Sequence, residues 1–257
     1  MNAVLLLGLS AATLAAEAPA PASFVVVVAN NAPSPGSEDL EPLAFADDDG
    51  ARYFELFDVM ADHTVLLSVL DAETQALHPG AAAASRPPTT TQVHSSLQDI
   101  FTRIRAAKAR GQDTRLFFVF VGHGSVSSSG EGVMHLLDGQ LTRSDLFQQV
   151  IAPSPADYNH IIVDACNAFL FVGGRGDSQD ERIDRAVDGY LARERIARYP
   201  NTGFILSTSA AEERRADLVA EHAGPEAAPL VHLLGGRSRK DKAGVGVSRN
   251  ALPGEVT

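Results

Sequence analysis

The sequence predicts an α/β protein, a three-layer sandwich on a mostly parallel central sheet. Short apolar runs rich in β-branched and aromatic residues recur along the chain, without the polar alternation of half-exposed strands. Segments with helical spacing of apolar residues separate them, and alternating strands and helices pack as a parallel sheet covered on both faces. The chain has 257 residues, 45% hydrophobic and 21% charged, enough for a substantial core.

The chain opens on MNAVLLLGLSAATLAA, apolar but too short to span a bilayer comfortably. Ala20-Pro21-Ala22 before Ser23 fits a small-residue cleavage site. Residues 1–22 are therefore expected to be a signal peptide, and the mature protein to be secreted or periplasmic, with no membrane segment. Without such processing it would be cytoplasmic.

Strands are expected at 24–29 (FVVVVA), 64–70 (TVLLSVL), 115–121 (RLFFVFV), 160–165 (HIIVDA) and 203–209 (GFILSTS). A helix over 47–60 aligns Tyr53, Phe54, Phe57 and Met60 on one face, and Asp47, Asp48 and Asp49 at its start complement the helix dipole. The Pro-rich stretch 79–91 (PGAAAASRPPTTT) reads as a mobile loop. A helix over 95–111 turns Leu97, Ile100, Phe101 and Ile104 inward and ends on Gly111. Thr142 caps a helix over 142–151, and a charged helix over 180–199 carries Ile183, Val187, Leu191 and Ile196. A Gly-rich loop spans 173–179, and beyond Ala216 the pattern gives way to an irregular tail over 216–257.

The net charge of −11 argues against a nucleic-acid surface and favours basic ligands. No G-x-G-x-x-G follows the first strand, no G-x-S-x-G elbow supplies a nucleophilic serine, and no H-E-x-x-H pair is present. The single cysteine excludes an intrachain disulfide and a thiolate zinc cluster. No cofactor or metal is expected.

Open parallel sheets place their chemistry beyond the carboxyl ends of their strands. Two residues hold that address: His123, between Gly122 and Gly124, and Cys166, two residues past Asp164. Either alone reads as an ordinary core residue, since free cysteines are among the most buried side chains. Together they suit a dyad, because an imidazole titrating near neutrality can stabilise a thiolate and then protonate a leaving amine. The two glycines would let a substrate backbone approach, and the amides of Gly124 and Cys166 could bind a developing oxyanion.

Residues 116–125 (LFFVFVGHGS) and 160–168 (HIIVDACNA) resemble the caspase-fold cysteine peptidases, in particular their bacterial caspase-like and metacaspase-type branch. His123 precedes Cys166 by 43 residues, near the roughly 50 of caspase-type enzymes. Residues 25–36, 40–57 and 205–213 are similar to that family's first strand, first helix and post-cysteine strand, so the resemblance covers about 24–215. It implies a caspase-like catalytic domain over 23–215 that hydrolyses peptide bonds, with His123 as general acid/base, Cys166 as nucleophile and a protein or peptide as substrate. It further implies that Asp164 lines an acidic pocket for Arg or Lys. From the residues alone Asp164 also reads as a strand-end cap for the following loop, and Asp47, Asp48 and Asp49 either add to such a pocket or serve only as helix-dipole complements. Maturation by self-cleavage would fall at Arg175, Arg182, Arg193 or Arg195. Calcium dependence occurs in the branch, but no calcium loop is legible here, and oligomeric state is not legible either.

The sequence departs from the family after Cys166, where Asn167, Ala168, Phe169, Leu170 and Phe171 replace a small polar turn. The family's last helix and strand are not legible after Ala216, as in a truncated chain. These departures motivate the alternative, a catalytically inactive protein of the same fold that binds partner proteins.

Overall fold

A computed structural model describes residues 19–37, 39–165 and 198–207, with the backbone of 208 and of 231–235. The expected signal peptide lies almost wholly outside these residues, and its boundary meets a strand. β1 (Ala22–Asn30) begins at Ala22, which is buried and donates its N–H to the Asp113 carbonyl at 2.8 Å. Cleavage after Ala22 would remove the first residue of β1.

α1 (Ala46–Asp58) follows β1, and then β2 (His63–Leu67). The next stretch holds α2 (Ala72–Leu77), α3 (Pro79–Ala84) and α4 (Thr90–Ala109). The expected mobile loop over 79–91 is therefore corrected. Its four consecutive alanines form a helix with Pro79 in the first turn, as alanine has the highest helix propensity and proline suits that position. Ala81 is fully buried, Arg86 bridges to Leu67 at the edge of β2, and Thr89 caps α4 by accepting from Gln92 N at 3.2 Å. Gly111 follows α4 with φ 78°, as its expected place at the helix end requires.

β3 (Thr114–Gly122) leads into a small antiparallel sheet of β4 (Gly124–Val126), β5 (Gly132–His135) and β6 (Gln140–Thr142). Thr142 then starts α5 (Arg143–Asp145) with a capping box, and the chain widens into a π-helical turn, Leu146–Ile151. β7 (Tyr158–Ala165), β8 (Thr202–Thr208) and β9 (Val231–Gly235) follow. β9 lies within the segment expected to be irregular. The helix expected over 180–199 falls almost entirely outside the described residues.

The central sheet has the order β2-β1-β3-β7-β8-β9, with every pair parallel. Successive residues of a strand face opposite sides, and both sides are apolar. Val26, Val28, Phe118, Phe120, Ile161 and Val163 pack with α4, the small sheet and the π-helical turn. Val25, Val27, Val119, Val121 and Ile162 pack with α1 and α3. The α/β sandwich read from the sequence is thus the observed one. α1 sits so close to β1 that a Cβ on Gly50 would collide with that of Ala29. Among the described residues, no helix is long and apolar enough to cross a membrane.

Candidate active site

The chain leaves β1 for β2 on one side and returns to β3 on the other, so β1 and β3 flank the point where strand order reverses. A crevice for ligands forms beyond the carboxyl ends of such strands. Asn30 and Gly122, the last residues of β1 and β3, are register partners there. A Cβ on Gly122 would lie 2.8 Å from the Asn30 carbonyl oxygen and 3.2 Å from the Phe120 ring. Gly122 therefore serves close packing within the sheet, which corrects the expectation that it gives clearance to a substrate.

His123 is the next residue and is half-buried. Its Nε2 lies 3.0 Å from the Glu41 carbonyl oxygen, in the connection between β1 and α1. A carbonyl only accepts, so Nε2 carries the proton and the lone pair of the neutral ring is on Nδ1. Burial pushes the His123 pKa below the ordinary histidine range, with the Glu41 hydrogen bond acting weakly the other way. The ring is thus neutral at neutral pH, with Nδ1 available as a base.

Sequence reasoning missed a second imidazole. His135, at the end of β5, is 1% exposed, and its ring centroid is 6.0 Å from that of His123. Its Nδ1 receives the Ser34 backbone N–H at 3.1 Å and lies 2.9 Å from Ser34 Oγ, which accepts in turn from Gln140 Nε2 at 3.0 Å. A backbone N–H can only donate, so Nδ1 is unprotonated and Nε2–H donates to Ser125 Oγ at 2.7 Å. His135 is therefore a donor to Ser125, not a base that could activate it. Its own backbone N–H donates to the His123 carbonyl at 3.1 Å, and its carbonyl accepts from Asn30 Nδ2 at 3.0 Å. The available signal was 132–137 (GVMHLL), an apolar run flanked by the turn residues Gly130 and Asp138-Gly139.

Asp164 pairs in register with Val121 and is half-buried. Its charge reaches α1. The Asp49 carboxyl is raised first by burial and further by Asp164, against the lowering effect of Arg52, which binds it at 2.9 Å. The Tyr53 phenol is raised by burial, then by Asp164 and Asp49. Asp164, Asp49 and Tyr53 are thus neighbours. Asp47 does not join them. It is fully buried, with Oδ1 accepting from Asn31 Nδ2 at 2.7 Å and Oδ2 from Asp71 N at 2.9 Å. Asn31 Oδ1 meanwhile accepts from Ala46 N at 2.8 Å and Asp47 N at 3.3 Å, capping α1 from across the loop. Asp47 braces that loop, which corrects its expected place in a pocket.

Gly124 opens β4 opposite Met134. His135 N donates to His123 O, and Ser127 N donates to Glu131 O at 2.8 Å. These are the hydrogen-bonded pairs of the ladder, so the alternation turns the Gly124 amide away from β5. Cys166, the expected nucleophile, lies outside the described residues, as do Asn167 to Phe171 and the expected self-cleavage points Arg175, Arg182, Arg193 and Arg195. Its predecessor Ala165 is the register partner of Gly122. Among the described residues, no group of His, Cys, Asp and Glu could hold a metal ion. No protein-family model, curated protein or solved structure matches this chain.

Proposed function

We propose that the chain is a cysteine endopeptidase of the caspase-like, metacaspase type that cuts after Arg or Lys. The observation that carries the reading is the pairing of Gly122 with Ala165 in adjacent parallel strands. Their chain successors are His123 and Cys166. Consecutive Cα atoms are about 3.8 Å apart and neighbouring strands about 4.8 Å, so connectivity lets an imidazole and a thiol meet at this edge.

In this mechanism the Cys166 thiol loses its proton to His123 Nδ1, and the thiolate attacks the scissile carbonyl carbon. The amides of Gly124 and Cys166 stabilise the oxyanion. Collapse breaks the C–N bond, and the His123 imidazolium gives its proton to the leaving amine. Water, deprotonated by His123, then hydrolyses the thioester and frees the thiol. The Glu41 carbonyl supports these steps by holding Nε2–H, which keeps Nδ1 as the exchanging atom. Asp164, close enough to influence Asp49 and Tyr53, would attract a cationic side chain through a carboxylate in a partly desolvated cleft.

The test combines peptides with Arg, Lys, Asp or Asn at P1 and labelling by an Arg- or Lys-bearing peptidyl halomethylketone. Label on one thiol, lost in Cys166→Ala, and cleavage after Arg and Lys are expected. A folded protein that takes no label and cuts no peptide removes the enzyme reading and leaves the protein-binding one.

A further inference from the structure

We propose that His135 is a positioning residue for His123, and that its neutral imidazole is a clasp on the β1–α1 connection that acid opens. The proposal rests on reading His123 as the general acid/base, but its structural half stands without that reading.

His135 is bonded on every side to what surrounds His123. Its amide holds the His123 carbonyl, its carbonyl holds Asn30, and its ring holds Ser34. Ser34 is 1% exposed, and its Oγ is tied to Gln140 on β6. The connection that Ser34 anchors also carries Glu41, whose carbonyl binds His123 Nε2. Ser34 and Glu41 thus lie on one length of chain, one gripped by His135 and the other gripping His123.

The grip depends on the state of one nitrogen. With Nδ1 unprotonated, it accepts the buried Ser34 N–H, a donor that would otherwise lose its partner away from water. A proton on Nδ1 would set donor against donor at the Ser34 N–H, leaving only Ser34 Oγ to accept from the ring, so the grip on the Ser34 backbone is lost. Among the described residues, the ionisable groups acting on His135 are His123, which disfavours its protonation, and exposed Asp39 on the connection, which favours it. The other ring partners, Ser34 and Ser125, are neutral, as are Asn30 and Gln140 behind them. Burial is the largest cause holding the His135 pKa below the ordinary range, with His123 adding to it, so the clasp is closed at neutral pH.

The experiment compares the whole chain with His135→Gln and His135→Ala. Glutamine keeps both polarities of the ring, a carbonyl for the Ser34 N–H and an N–H for Ser125, but cannot take a proton. Amide hydrogen exchange follows the β1–α1 connection, and NMR of isotope-labelled histidine reads the His123 tautomer. In the wild type, protection of the connection should be lost as His135 titrates, with exchange faster on the order of tenfold or more. His135→Gln should hold protection into acid and keep His123 Nε2–H. His135→Ala should lose both at neutral pH. In the peptidase assay, kcat should fall in His135→Ala and return in His135→Gln, with the acid limb of the pH profile displaced. Opening of His135→Gln at the wild-type pH overturns the proposal, as does full protection in His135→Ala. A chain whose connection tracks His135 but which cuts no peptide sinks the peptidase reading and supports the clasp.

Discussion

Gly122 and Asn30 end β3 and β1 as register partners, so close that any Cβ on Gly122 would press on the Asn30 carbonyl oxygen at 2.8 Å. The obstructing atom belongs to the backbone of a central strand and cannot swing aside as a flexible side chain would. Gly122→Ala should therefore cost about 1–3 kcal/mol, in the range of overpacked cores. Urea unfolding should show a lower midpoint at unchanged slope. An unaltered midpoint would show that the strands separate freely at this point.

The pH dependence of stability has a defined sign. Burial is the largest cause pushing the pKa values of His63, His123, His135 and His160 below the ordinary range. The unfolded chain then binds more protons than the folded one between the folded values and about 6.5. Stability is complete above that window, falls as pH drops through it, and levels off for these groups below it. The urea midpoint should accordingly be lower at about pH 5.5 than at about pH 7.5. A midpoint that rises on acidification would mean that the imidazoles gain more from charged partners than they lose by burial.

Asp164 can be assayed without any substrate. The Tyr53 phenol is held above its ordinary value by burial first, then by Asp164 and Asp49. Asp164→Asn should lower the Tyr53 titration while leaving the burial effect in place. The chain has 4 tyrosines, so the difference from Tyr53→Phe isolates the signal. In peptide assays the same variant should weaken cleavage after Arg and Lys more than after neutral residues. If neither changes, Asp164 does not govern the charge of this cleft.

Burial separates two aliphatic positions of otherwise similar character. Ile104 on α4 is 0% exposed in the core, whereas Val59, just past α1, is 82% exposed. Ile104→Ala should cost about 2–5 kcal/mol through lost contacts and a residual cavity. Val59→Ala should stay within about 0.5 kcal/mol. Equal costs for the two would contradict this assignment of core and surface.

Much of the sheet was legible because a strand covered on both faces writes its burial directly into local composition. The runs at Phe24–Ala29 and Leu116–Val121 contain no polar residue, and both became central strands. The helix at 79–84 was not legible, since Pro, Gly and four alanines read as low complexity until Ala81 is seen buried in the core that α1 shares. Position at a strand end singled out His123, whereas His135 sits within an apolar run and its partners are remote in sequence. Ser34 lies 101 residues from His135, and Asn30 lies 105.

The sequence by itself determined the α/β alternation, the parallel sheet and the placement of His123 and Asp164 at strand ends, because each follows from the local periodicity of apolar side chains. Only the tertiary structure decided which polar groups are committed and to which partners. It spent Asp47 and Asn31 on capping and bracing α1, gave Gly122 to Asn30, and set His135 against Ser34. A buried donor must find an acceptor wherever the fold brings one, and that partner is set by packing across the chain rather than by neighbours in sequence.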